Sequence, residues 1–157
     1  MESYDPQKAA RVWQRVQAQA PVANPELELQ EMIREELLDA ATYAQLFRQL
    51  QGVHREKLQK IYRDEQTHVA CLKGIYTLTT GGHVSLKPLQ VEPEPVQVTL
   101  RRCYGREMKS LARYEARSKD PHYGQVFSRL AEQEREHCRL LLELLGSLPT
   151  VKNERVK

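Results

Sequence analysis

One short pattern occurs twice in this chain and limits its fold more than any other feature. Glu36 is followed by Tyr43 and then by Glu65-Gln66-Thr67-His68; Glu107 is followed by Tyr114 and then by Glu134-Arg135-Glu136-His137. Glu107 and Tyr114 stand 71 residues after Glu36 and Tyr43, and Glu134 and His137 stand 69 residues after Glu65 and His68. Agreement in type, order and spacing makes chance a poor explanation. A lone Glu from each of two helices, with a Glu-x-x-His from each of two others, is the ligand set of a two-metal carboxylate centre inside a four-helix bundle.

The helices that would carry this set are legible. Asn24-Pro25 reads as an N-cap followed by proline at the first helical position. Leu29, Ile33, Glu36, Ala40, Tyr43, Phe47 and Leu50 then step by four and three, a bundle seam, and Gly52 reads as its stop. A second helix places Leu58, Ile61, Glu65, His68, Leu72 and Ile75 on one seam and ends near Gly81-Gly82. From Thr79 to about Val98 the pattern breaks at Gly81, Gly82, Pro88, Pro93 and Pro95. A third helix carries Leu100, Cys103, Glu107, Leu111 and Tyr114. Asp120-Pro121 repeats the cap-and-proline start, and the fourth helix carries Phe127, Leu130, Glu134, His137, Leu141 and Leu144 to a stop at Gly146.

The expected fold class is therefore all-α, a ferritin-like four-helix bundle with one long crossover between its second and third helices. The bundle spans 24–146. Residues 1–23 are expected to hold a short amphipathic helix, from Asp5-Pro6 to about Gln19 with Ala9, Val12, Trp13 and Val16 on its apolar face, plus a linker. Residues 147–157 read as a polar tail, not a fifth helix.

The four glutamates lie on apolar seams, where a carboxylate must be paired, protonated or metal-bound. Two divalent cations cancel four such charges, and the seams offer no four Lys or Arg to do so instead. Residues three apart share a helix face, so Glu65 with His68, and Glu134 with His137, can each reach one metal. Glu36 and Glu107 are placed to bridge or complete the pair. Oxygen-rich ligation with one imidazole per metal favours iron, or manganese or a mixed pair, over zinc. Tyr43 and Tyr114 lie two turns past the lone glutamates and are candidates to hydrogen-bond the carboxylates, or are core tyrosines satisfied elsewhere. Glu35, Glu132 and Glu136 fall off the seams and are expected to face water. So are His54, His83 and His122.

Composition narrows the function classes. The 157 residues suffice for one domain, and 29% charged with 40% hydrophobic is a globular balance. Net charge is +3 with no basic block beyond the short tail Lys152 to Lys157, so nucleic acid is not an expected partner. No apolar run is long enough to span a bilayer, and Met1 to Ala20 lacks a signal-peptide core, so a cytoplasmic location is expected. Cys71, Cys103 and Cys138 are far apart and form no C-x-x-C, which argues against a disulfide scaffold, a zinc ribbon or a rubredoxin-type iron site. Buried cysteine is ordinarily a small apolar filler, the role expected here.

Over 24–146, through Glu36-x6-Tyr43, Glu65-x-x-His68, Glu107 and Glu134-x-x-His137, the chain resembles the rubrerythrin-like branch of the ferritin-like superfamily. The resemblance implies a non-haem di-iron oxidoreductase reacting with hydrogen peroxide or oxygen, in a homodimer or small homo-oligomer. With no cysteine pairs of its own, the chain would need a separate electron donor such as a rubredoxin-type protein. Rubrerythrins place a further glutamate one turn after the lone glutamate of the third helix; here that position is Ser110. The remaining six-ligand set is closer to that of bacterioferritin. Two other readings stay open: a ferroxidase or iron-storage protein, and a bundle whose metal is purely structural.

Overall fold

A computed structural model describes residues 24–87 and 89–149. The expected N-terminal helix and most of the polar tail lie outside the described residues. Among those described there are four α-helices and no strand: α1 (Pro25–Gln49), α2 (Gly52–Thr80), α3 (Val96–Arg117) and α4 (Gly124–Ser147). None of these helices is long and apolar enough to cross a membrane.

Local chemistry sets the helix ends, and it moves three of the expected boundaries. Asn24 caps α1 as expected, its Oδ1 accepting from the Glu26 amide at 3.0 Å. Gly52, read as the stop of α1, is instead the first residue of α2, with φ +58°. Gly81 ends α2 in the left-handed region, φ +74°, its N–H donating to the Thr77 carbonyl at 2.8 Å. Asp120 caps a turn rather than the helix itself: its Oδ1 accepts from the amides of His122 and Tyr123, both at 2.9 Å, and α4 begins only at Gly124. A Cβ on Gly124 would collide with the Ser118 carbonyl oxygen, so glycine is required by space at this close turn. Gly146 does not stop α4, which runs on to Ser147.

The helices form two hairpins, α1 on α2 and α3 on α4, which face each other through α1–α3 and α2–α4 contacts. Two apolar plugs fill the interior. One joins Leu29 and Ile33 of α1 with Leu72 and Ile75 of α2, Tyr114 of α3 and Phe127 and Leu130 of α4. The other joins Tyr43 and Leu46 with Leu58, Ile61, Leu100, Cys103, Leu141 and Leu144. Each buried Leu or Ile contributes about 1.5–3 kcal/mol relative to exposure. The seam residues were read from period alone, and the plugs are where they meet.

Among the described residues of the α2–α3 connection, 81–95, there is no helix. α2 finishes beside the first plug and α3 starts beside the second. Val84 and Leu86 pack on the first plug. Further along, Gln90, Val91, Glu92 and Glu94 line a cavity of about 340 Å³ with Leu38, Thr42, Arg102 and Arg106.

Where α1 faces α3, long cationic side chains span the gap. Arg106 meets Asp39 at 2.6 Å, Lys109 and Arg113 both meet Glu35 at 2.7 Å, and Arg117 meets Glu28 at 2.5 Å. Glu35 is therefore half-buried and paired, not turned to water as expected. His54 is also half-buried, against Ser147 Oγ at 3.0 Å, whereas His83 and His122 are exposed.

Candidate metal centre

Between the two plugs lies a polar layer. Glu36, Glu65, His68, Glu107, Glu134 and His137 are all brought into it, and none is more than 1% exposed. Each arrives from its own helix at the seam position that the repeat marked: Glu36 on α1, Glu65 and His68 on α2, Glu107 on α3, Glu134 and His137 on α4.

The layer divides into two overlapping groups, each with ligand atoms within 4.8 Å of one another: Glu36, Glu65, His68 and Glu134, then Glu65, Glu107, Glu134 and His137. The shared members are Glu65 and Glu134. Glu36 and Glu107 belong to one group each.

Both imidazoles turn Nδ1 inward. His68 Nδ1 lies 3.3 Å from Glu36, 3.3 Å from Glu65 and 3.1 Å from Glu134. His137 Nδ1 lies 3.0 Å from Glu65, 3.3 Å from Glu107 and 3.3 Å from Glu134. The rings stack, 5.6 Å between centroids and 24° between planes. Their outer nitrogens are held from neighbouring helices: His68 Nε2 by Gln133 Oε1 and His137 Nε2 by Asp64 Oδ2, each at 3.1 Å. A histidine whose outer N–H is anchored in this way presents its other nitrogen in one fixed tautomer and direction.

The tyrosines act crosswise. Tyr43, on the same helix as Glu36, donates to Glu107 Oε1, while Tyr114, on the same helix as Glu107, donates to Glu36 Oε1. Each terminal glutamate thus has one oxygen fixed by a phenol and the other facing an imidazole. Burial pushes both phenols well above their usual range, and the facing carboxylates add to it, so both keep their protons at any ordinary pH.

These buried residues could hold metal, on two counts. First, no hydrogen bond of ordinary geometry reaches either oxygen of Glu65 or of Glu134, although all four atoms are buried; each has an imidazole Nδ1 at 3.0–3.3 Å beside it, so ligand atoms crowd together where a cation would relieve their charge. Second, the cations close by are committed elsewhere: Arg106 is taken by Asp39. Burial raises Asp39 to about 7 against the pull of that guanidinium.

The electrostatics of the metal-free layer follow the same symmetry. Burial, reinforced by Glu65, raises Glu36 well above the usual carboxyl range; burial and Glu65 do the same to Glu107. Burial opposes ionisation of Glu65 and Glu134 too, but Glu36 and Glu107 respectively, with both imidazoles, hold these two below the usual range. Burial disfavours charge on the histidines, yet the carboxylates outweigh it and both are raised, His68 by Glu134, Glu36 and Glu65, and His137 by Asp64 first and then Glu107, Glu134 and Glu65. Without cations, then, Glu36, Glu107, His68 and His137 all hold their protons more tightly than usual.

No protein family, no curated protein and no solved structure matches this chain. What the centre does has to be argued from its own geometry.

Asp64, Gln133, Asp39 and Arg106 were not singled out from the sequence. A signal existed for the first two: Gln133 stands 69 residues after Asp64, the offset of the Glu-x-x-His repeat. Ser110 is buried on α3. Cys103 and Cys138 are buried and Cys71 half-buried, all three as free thiols. Burial pushes the Cys103 thiol up to about 12, which makes it a filler and not a nucleophile.

Proposed function

We propose that this chain is a non-haem di-iron oxidoreductase of the rubrerythrin-like, ferritin-like type, reacting with hydrogen peroxide or oxygen. On this reading 81–95 is the long crossover of that fold. The observation that carries the reading is the pair of overlapping ligand groups sharing Glu65 and Glu134. A structural cation needs one closed set; two sets that share carboxylates suit a pair of ions acting together.

Glu36, Glu65, Glu134 and His68 Nδ1 would hold one ion, and Glu65, Glu107, Glu134 and His137 Nδ1 the other. When bound, an iron pair supplies two one-electron changes, which match the two-electron reduction of an O–O bond. The chain's own residues do the rest. The two apolar plugs exclude water from above and below the layer. Tyr43 and Tyr114 hold a hydroxyl proton against Glu107 and Glu36 and keep those carboxylates from swinging. Gln133 and Asp64 fix the imidazole directions. Electrons would come from a separate donor, such as a rubredoxin-type protein, since the three cysteines are dispersed.

Protein loaded with Fe(II) under nitrogen and then exposed to peroxide tests this reading. Stoichiometric oxidation, followed by re-reduction and turnover with an added reductant, is the expected result. Iron that stays ferrous, or that oxidises once and leaves the protein as a mineral, would overturn it, the latter in favour of iron handling.

A further inference from the structure

The two halves of the layer match atom for atom until the residues behind the histidines. There the repeat places Asp64 on one side and Gln133 on the other. Both reach an imidazole Nε2 of the opposite hairpin at 3.1 Å. Only one of them carries charge. On the reading of these residues as cation ligands, we propose that the two metal positions are unequal, and that Asp64 makes the one containing His137 and Glu107 the tighter.

The reason is electrostatic. A carboxylate accepting the Nε2–H pulls that proton toward itself and leaves more electron density on Nδ1, the nitrogen aimed at the ion. It also adds a negative charge behind the ring. An amide oxygen fixes the same ring direction but adds no charge. Every ligand of one position has its counterpart in the other, so this difference is not cancelled within the groups themselves. Lys60 also donates to Asp64 Oδ2, at 2.8 Å, and offsets part of the effect. The offset is partial because the Lys60 side chain is 53% exposed, against 20% for Asp64, and its charge is screened by water. The tyrosines do not break the symmetry, since each terminal glutamate receives one phenol.

The test is titration of the full chain, stripped of metal, with cobalt(II) at one fixed pH under nitrogen. Visible absorption and calorimetry report binding without any turnover. Wild type is expected to bind in two resolved steps. Asp64→Asn should weaken the tighter step by about 10-fold and merge the two. Gln133→Glu should strengthen the weaker step, an outcome that a merely structural role for Asp64 would not produce. Lys60→Gln removes the Asp64 ion pair and should leave the tighter step at least as tight. His137→Ala should abolish the tighter step and His68→Ala the weaker. Two indistinguishable steps in wild type, or an Asp64→Asn titration that overlays wild type, would overturn the inequality while leaving the two-metal reading intact. No cobalt binding at all would instead remove the two-metal reading itself.

Discussion

Tyr43 donates its hydroxyl to Glu107, a residue 64 positions away on a different hairpin. Tyr114 returns the contact to Glu36. The two hairpins are thus tied through the terminal carboxylates of the centre. Tyr43→Phe leaves Glu107 Oε1 buried without its donor, which should cost about 1–3 kcal/mol in the metal-free protein. It should also weaken cation binding by about 10-fold. Chemical denaturation of the metal-free form and a cation titration check both; an unchanged midpoint with unchanged affinity would show that the phenol carries no load.

Cation binding should release protons. Glu36, Glu107, His68 and His137 are all raised in the metal-free layer and must lose their protons to act as ligands. Calorimetry in two buffers of different ionisation heat measures the release. Protons should be released on binding and affinity should climb with pH. A pH-independent affinity would contradict the protonation pattern.

The same groups set how stability depends on pH without metal. Glutamates raised above 4.5 and histidines raised above 6.5 bind protons more tightly folded than unfolded. Their contribution is complete below those ordinary values and is lost as pH rises toward the folded ones. Glu65 and Glu134, lowered from 4.5, contribute above that value and lose their effect as pH falls below it. Metal-free protein should therefore be most stable in mildly acidic solution and melt earlier as pH rises from about 6 to 9. Bound cations should remove that decline. Melting curves across the range, with and without metal, decide the point; a metal-free melting temperature that rises with pH would contradict it.

Half-buried Arg106 pairs with buried Asp39 beside the centre and also reaches Thr42 at 3.1 Å. Arg106→Met alone should cost about 1–3 kcal/mol, because buried Asp39 is left without its partner. Adding Asp39→Asn should restore a large share. Urea unfolding of the single and double variants separates a coupled pair from two independent losses.

Much of this was legible in the sequence because the repeat and the seam coincide. Glu36, Glu65, His68, Glu107, Glu134 and His137 stood out because polar residues at apolar positions conflict with burial unless something neutralises them. Asp64 and Gln133 were not visible on that ground. They lie one residue, about 100° of helix turn, off the seam, and they act on the neighbouring hairpin. Their differing types also hid the repeat. The crosswise tyrosine contacts depend on which helices face each other, which seam spacing does not encode. Glycines misled at two boundaries: Gly52, although its φ is positive, opens α2 and does not close α1, and Gly146 stays helical, whereas Gly81 does end α2. Asp120 misled differently, because its cap serves a turn that precedes α4.

The central claim is that Glu65 and Glu134 are shared between two cations while Glu36 and Glu107 each serve one. Iron content of protein loaded and desalted under nitrogen tests it most directly. Wild type should retain two irons per chain, Glu36→Ala and Glu107→Ala about one each, and Glu65→Ala or Glu134→Ala almost none. Wild-type iron content in Glu65→Ala, or no retained iron in the wild type, would contradict the account.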